Sequence, residues 1–591
     1  MAFLAPLAAA LIPLLIAPGF LFYYDLTPKI ALLLLAAGVA LPWSVAGGRR
    51  PAGWFSLLLA AQLLSLAIST AVSAEPRLSL GGTSWRRFGL ITHASLLVFA
   101  WILAATPATG PARKTLFRGI AATGVLIALY TILQYFGWDP WIPAGGYHIG
   151  EGVWTIVRPP GTLGHAAYAA TWLLLVVFLA VALRRIETDR WWRRLALVAI
   201  ILAVTAIVLS GTRAALAGLA AGGVLLVWGR RWQRRWLAIA GGVVFALVVF
   251  YYSPAGQGLR SRMRWAIEDP RGGARLLLWR DALAMGGTRW LAGWGPETFP
   301  TVFPRRQSRE LARAYPDFQY ESPHNMFVDA FVSQGAIGAL VLLAISFAAF
   351  AAARSNSLGR PLAAALAATI ASQMFNSFIP VTALGFYLLV GLVAPDRRPE
   401  VRPPAWRPAL WCCLPVSALL VACAIRLLAA DRGTQIVRER LEVGRIEEAV
   451  GVYDRSRFYW NPGANPDLWY SRSLVEAARR SDRILVGARA LETAFQAALR
   501  ASLEADERHN AGYNLAAFHA LRNDAAGVER SLREAIAWAP NWYKPHWALA
   551  QALGLAGRGR EALAEAALAV ELDAGKHPEV ARTLDELRGG K

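Results

Sequence analysis

Three positions stand out as able by type and spacing to support chemistry: Arg213, Arg275 and His324. Arg213 lies in "SGTRAALAG", between two apolar runs joined by almost no loop. A guanidinium there is costly unless it snorkels, pairs or faces a polar cavity. Arg275 and Arg280 flank Trp279 in "GGARLLLWRDALAMGGTRWLAGWGPETF". On a helix, Arg275 and Trp279 share a face, while Arg280 and Asp281 point elsewhere. Guanidinium groups in such positions could grip phosphate bidentately. His324 and Asn325 open an apolar run in "ESPHNMFVDAFVSQGAIGAL", behind a proline that fixes the entry. An imidazole at the mouth of a span suits proton transfer near neutral pH; its plainer reading is a helix cap shared with Asn325. Arg158 and His165 belong to "RPPGTLGHAAYAA", a turn followed by a helix start, where substrate contact competes with loop structure.

The elements that must position these groups are membrane spans. The 591 residues are 56% hydrophobic and 17% charged, against about 25% charged in an ordinary soluble domain. Apolar stretches run over 3–22, 29–47, 52–72, 88–105, 118–137, 166–183, 195–210, 214–228, 236–252, 325–353, 361–377, 379–394 and 408–429. Each is a candidate crossing, with 361–394 readable also as a re-entrant pair. The prediction is an all-α chain: a polytopic bundle of about 12–13 transmembrane helices over 1–430, then a soluble helical domain over 431–591.

Charge orients the bundle. The tail 431–591 carries 23 Lys and Arg against 23 Asp and Glu, so the whole net charge of +22 belongs to the first 430 residues. An excess confined to membrane loops reads as topology and lipid contact, not nucleic-acid binding. Arg49-Arg50, Arg113 to Arg118, Arg184 to Arg194, Arg230 to Arg235, Arg354 with Arg360, and Arg397 to Arg407 fall in alternate loops. Those loops are assigned to the cytoplasm, with the N-terminus inside. The Asp25 loop, 138–164, Ser210–Thr212 and the long 253–323 loop then face outward, and the final span delivers the tail outside.

That tail repeats. Asp506, Pro540 and Ala574 are spaced by 34, as are Tyr513 and Trp547, and Asn523 and Gly557. This period matches the tetratricopeptide (TPR) pattern of paired helices, an α-solenoid suited to binding proteins or extended chains. Cys412, Cys413 and Cys423 share one apolar span and read as buried thiols. The histidines lack ligand spacing, so no metal is expected, and no Walker A, HExxH or GxSxG motif occurs. No cofactor is implied. Outside the cytoplasm a glycan-assembling enzyme needs a donor energised beforehand, and a lipid diphosphate meets that need.

The ordered set "SGTRAALAG", "GGARLLLW…LAGWGPETF" and "SPHNMFVDAFVSQGAIGAL" resembles the O-antigen ligase and O-antigen polymerase superfamily, with "RPPGTLGHAAYAA" like its glycine-rich outer segment. The resemblance covers 150–395 in motifs and 1–430 in architecture. It implies a bacterial inner-membrane glycosyltransferase that takes a glycan from undecaprenyl diphosphate on the periplasmic face. It implies catalytic roles for His324, Arg213 and Arg275, with Arg280 the rival to Arg275. Arg158, His165, Asn325 and Trp279 then fall to substrate binding. The foremost reading is ligation to lipid A-core; polymerisation onto another glycan and transfer to protein are alternatives. The TPR tail, a departure from a simple ligase, leaves the acceptor open and offers a site for an envelope partner. A metal-dependent enzyme using Asp25 is a further rival, and a lipid-linked glycan transporter or a scaffold is the reading from a different class.

Overall fold

A computed structural model describes residues 3–46, 51–106, 110–143, 146–151, 154–228, 241–242, 245–246, 248–268, 273–356, 358–394 and 406–589. Arg49-Arg50, Arg230 to Arg235 and Arg397 to Arg402 lie outside them, as do residues 236–240, 243–244 and 247 of the predicted span 236–252.

Apolar runs become helices because only a helix satisfies every backbone group within its own segment. Among the described residues, seven helices are long and apolar enough to cross a membrane: Thr27–Ala46, Gly53–Ala71, Pro111–Tyr135, Ala166–Ile186, Arg190–Leu209, Met326–Arg354 and Leu410–Glu442. The chain is a membrane protein. Shorter apolar helices fill four further predicted spans: Leu4–Leu14, Leu90–Ala104, Arg213–Val227 and Pro380–Val393. A 15-residue helix measures about 22 Å, less than a hydrocarbon core of about 30 Å. The first predicted span is the clearest difference. Its helix stops by Leu14, where Pro13 and Pro18 interrupt the backbone bonding, and residues 15–26 form a turn region.

The polar contacts sort the loops into two ends. Lys29 Nζ reaches the Thr162 carbonyl at 2.6 Å, joining the Asp25 and 138–164 loops. Tyr23 N–H donates to Asp431 at 3.1 Å, bringing the start of the tail to the same end. At the opposite end Arg118 pairs with Glu187 at 2.8 Å, and the Leu392 carbonyl accepts from Arg113 and Asn356. Helices Gly359–Gln373 and Pro380–Val393 therefore leave that end and return to it. They are two antiparallel passes, with residues 374–379 as their turn at the Asp25 end.

The 138–164 loop departs from an all-helical reading in one place. His148–Glu151 and Trp154–Val157 pair as an antiparallel hairpin with His148 opposite Val157. The final membrane helix also runs on past its predicted end, unbroken to Glu442. From Ile446 to Arg588 the tail is a succession of short helices, each packed on the next. The 34-residue spacing places Asn523 (φ +56°) and Gly557 (φ +75°) at matching left-handed turns between helices. Asn and Gly are the residues that tolerate this conformation best.

Among the ion pairs that fasten the tail to the rest of the chain, one is deeply buried. Arg87 meets Asp431 at 2.8 Å, with the carboxylate 1% exposed, and the guanidinium lies over the Tyr23 ring. Asp431→Ala would strand a buried cation. It should lower unfolding stability by about 3–5 kcal/mol. Joint replacement by Arg87→Met and Asp431→Leu should recover most of that loss in the same denaturation experiment.

Candidate active site

The site is built where the outer loop sinks into the bundle. Helix Met326–Arg354 carries a non-helical residue, Gly335, at φ +69° and ψ −168°. The break frees backbone groups, and the turn segment Trp290–Gly295 takes them. Trp294 and Gly295 donate to the Val332 and Ser333 carbonyls at 2.8 and 2.9 Å, and Ala336 donates to Trp290 at 2.7 Å. A Cβ at Gly335 would lie 2.3 Å from Leu291, so this join requires glycine. The "LAGWGPETF" and "SQGAIGAL" motifs are thus two halves of one backbone junction.

That junction delivers Glu297 to Arg86. The two side chains meet at 3.4 Å, 2% and 3% exposed, and Thr83 donates to Glu297 through both N–H and hydroxyl. Arg86 also donates to the Glu321 carbonyl at 2.7 Å and the Phe378 carbonyl at 3.1 Å. It therefore ties together the loop after Gly53–Ala71, the segment before His324 and the turn at 374–379.

His324 stands at the centre of these ties, in a left-handed conformation at φ +54°. Glu297 (φ +63°) and Arg87 (φ +55°) share that strain, so three of the five described non-glycine residues of positive φ cluster here. Such strain persists only where the surroundings over-determine it. Ser322 accepts from the His324 N–H at 3.3 Å, and Trp279 Nε1 donates to the Pro323 carbonyl at 2.9 Å.

The side-chain hydrogen bonds form a directed chain. Ser322 donates to Ser377 at 3.0 Å, and Ser377 donates to Glu321 Oε1 at 3.1 Å. The single hydroxyl proton of Ser377 is then committed. His324 Nδ1 lies 2.6 Å from the same hydroxyl, and with the imidazole proton on Nδ1 it donates to Ser377. In that tautomer Nε2 keeps its lone pair, 3.8 Å from Glu321. Burial first, and then Arg275 and Arg86, push the imidazole below its ordinary pKa of 6.5, with Glu321 opposing them. Burial alone would raise Glu321, but the Arg86 guanidinium and the hydrogen bond from Ser377 oppose it and hold the carboxyl below 4.5. A neutral imidazole with a free Nε2 beside a carboxylate is a base ready to take a proton and stabilised once it has done so.

The sequence-predicted residues separate on this frame. Helix Arg275–Gly287 forms as expected, and Arg275 is close enough for its charge to act on His324. Arg280 turns away, half exposed, toward Glu310 at 2.6 Å, Ser308 at 2.9 Å and Asp281 at 3.1 Å. Trp279 holds the Pro323 carbonyl and rests on Phe375, 5.8 Å between centroids, so it positions the histidine segment. Asn325 caps its helix, accepting from Phe327 and Val328 at 3.0 and 3.2 Å, which occupies its oxygen. His165 likewise caps Ala166–Ile186 through Nδ1, with Arg158 3.3 Å from its Nε2.

Arg213 begins helix Arg213–Val227, half-buried. That helix packs antiparallel on Gly359–Gln373, where added carbons at Gly218 and Gly222 would strike the carbonyls of Ala368 and Ala364. The same register sets Arg213 opposite Gln373, four residues before Ser377. Arg86, Glu297, Glu321 and Ser377 complete the cluster without having been singled out. Glu321 was legible as the neighbour of His324 in "ESPHN", whereas Ser377 sits in what reads as the end of an apolar span.

Fold and site together define a helical membrane protein with a histidine, a carboxylate and arginines gathered at one end of its bundle. Residues 198–343 match a family model described as O-Antigen ligase. The match contains Arg213, Arg275 and His324, and it supports a function of the O-antigen ligase or polymerase type, a glycosyltransferase-like activity on lipid-linked glycan in a membrane. No curated protein matches the chain.

Proposed function

We propose that the protein transfers a glycan from a polyprenyl diphosphate, undecaprenyl diphosphate in a bacterium, to an acceptor hydroxyl, and that the acceptor is lipid A-core. The observation that carries this reading is the geometry of His324, with Nδ1 2.6 Å from Ser377, Ser377 bonded to Glu321, and Nε2 3.8 Å from that carboxylate, beside the cation of Arg275. Nε2 takes the acceptor proton as that oxygen bonds to the anomeric carbon. The bond from that carbon to the diphosphate breaks on the opposite face, and configuration inverts. Arg275 and Arg213 offset the charge gathering on the leaving diphosphate, the part that a divalent cation performs in other enzymes. The reaction proceeds at the inner membrane's periplasmic face, with the N-terminus in the cytoplasm. Residues 1–430 form the transfer domain and 431–591 a periplasmic tetratricopeptide domain.

Reconstitution with a lipid-diphosphate glycan and a choice of lipid A-core, free glycan or protein, followed by mass analysis, tests the assignment. A product on lipid A-core supports ligation. A glycan ladder would replace it with polymerisation, and modified protein with an oligosaccharyltransferase. Loss of turnover in EDTA would refute the metal-independent mechanism.

The acid limb of the pH profile tests the base itself. The native rate should fall only below about 6.5, because His324 titrates beneath its ordinary value. Glu321→Gln keeps an acceptor for Ser377 but removes the charge that raises the imidazole. Its acid limb should move to lower pH, and its plateau should drop about 10–100-fold as the imidazolium loses its counter-charge. A limb that moves upward, or stays in place, would separate Glu321 from His324.

A further inference from the structure

The tail does not hang free of the outer loop. Thr301 donates to the Asp506 carbonyl at 2.7 Å, Asn541 to the Gln307 carbonyl at 2.7 Å, and Tyr543 to Asp317 at 3.1 Å. Between these contacts opens a groove lined by Trp85, Phe318, Tyr320 and Glu321 and, from the tail, by Glu507, His509 and Trp542. Glu321 is the residue 3.8 Å from the free nitrogen of His324.

Three features of the groove point to a ligand and to its class. The aromatic residues offer apolar faces with polar edges, the surface against which one face of a sugar ring packs. One polar group is left unsatisfied: the Tyr320 hydroxyl is buried with no hydrogen-bond partner. His509, 4% exposed, also lines the groove. Its ring meets the Trp542 edge at 5.4 Å. Buried polar groups without partners are rare and costly, so a ligand that supplies hydroxyls would complete the Tyr320 hydroxyl. Finally, no lysine or arginine lines the groove, whereas Glu321 and Glu507 do. A diphosphate is disfavoured here, and the arginines beside His324 mark its place instead.

We propose that this groove between outer loop and tail seats the neutral sugars of the acceptor, with rings against Phe318 and Trp542 and hydroxyls on Tyr320 and His509, and leads one hydroxyl to His324. The proposal rests on the glycan-transfer reading and identifies the tail as part of the acceptor site.

The test uses full-length protein in lipid nanodiscs and core oligosaccharide released from lipopolysaccharide by mild acid, with binding followed by saturation-transfer NMR. Inorganic pyrophosphate serves as the probe of the donor side. Native protein should bind the oligosaccharide. Phe318→Ala, at an exposed ring whose loss leaves packing intact, and Trp542→Ala should each weaken it about tenfold or more. Trp542→Phe should stay within about threefold, and pyrophosphate binding should be unchanged in all, which also reports folding. Equal oligosaccharide binding by both alanine variants, or none by the native chain, overturns the proposal; glycosylated protein without oligosaccharide binding overturns it in favour of a protein acceptor. Transfer measured on the same samples keeps the two readings apart. Binding without transfer leaves the groove and removes the transferase, while transfer with unaltered acceptor KM in Phe318→Ala and Trp542→Ala does the reverse.

Discussion

His324→Asn and His324→Ala proteins should fold and retain the lipid-linked donor, yet transfer glycan about 10²–10⁴ times more slowly than the native chain. The two variants answer different objections. His324 occupies a left-handed backbone conformation, which asparagine adopts more readily than alanine. If alanine fails because the turn rearranges, asparagine preserves the turn and should still fail, since its amide cannot take a proton. The base also has a specific geometry to lose: Nδ1 is committed to Ser377 at 2.6 Å, so only Nε2 can act. Single-turnover transfer, measured with donor binding as the control, checks this. Near-native transfer by His324→Asn would remove the imidazole from the mechanism.

Arg275→Ala should cost about 10²–10³ in transfer rate, the usual loss when one fixed donor to a developing anion is removed. Arg280→Ala, only five residues away, should transfer at close to the native rate. Its guanidinium is spent on Glu310 and Asp281 at the surface, where solvent screens such pairs. A second signature accompanies the first loss. Arg275 is one of the charges that depress His324, so its removal lets the imidazole titrate higher, and the acid limb should shift to higher pH. Glu321→Gln moves the same limb the opposite way. If Arg275→Ala and Arg280→Ala lost activity equally, the loop arginine would have been misassigned, whatever the rates of the His324 variants.

Hydrophobic runs, loop charge and the 34-residue period were legible along the chain because each is a local property. A run of apolar residues has few structures open to it in a membrane, and it declares its helix wherever the rest of the chain lies. The same reasoning made Arg213 and His324 conspicuous, as charged or titratable groups at the ends of such runs, while Arg275 stood out in the 253–323 loop. It also placed Arg275 and Trp279 on a shared helical face, which the helix from Arg275 to Gly287 bears out.

What surrounds His324 was decided only in three dimensions. Arg86 lies 238 residues before it and Ser377 lies 53 after it, and no periodicity links those positions. They meet because Gly335 breaks its helix, Trp290–Gly295 fills the gap, and Glu297 is carried down to Arg86. That Arg280 and not Arg275 pairs with Glu310 was equally invisible in sequence, since both flank Trp279. The docking of the tail belongs here too, as Asp431, Asp506 and Asn541 satisfy partners hundreds of residues away. Secondary structure follows from short-range sterics and solvent preference, which the order of residues carries directly. A catalytic cluster instead depends on buried polar groups finding one another, and that pairing is settled by which long-range contacts leave no donor or charge unsatisfied.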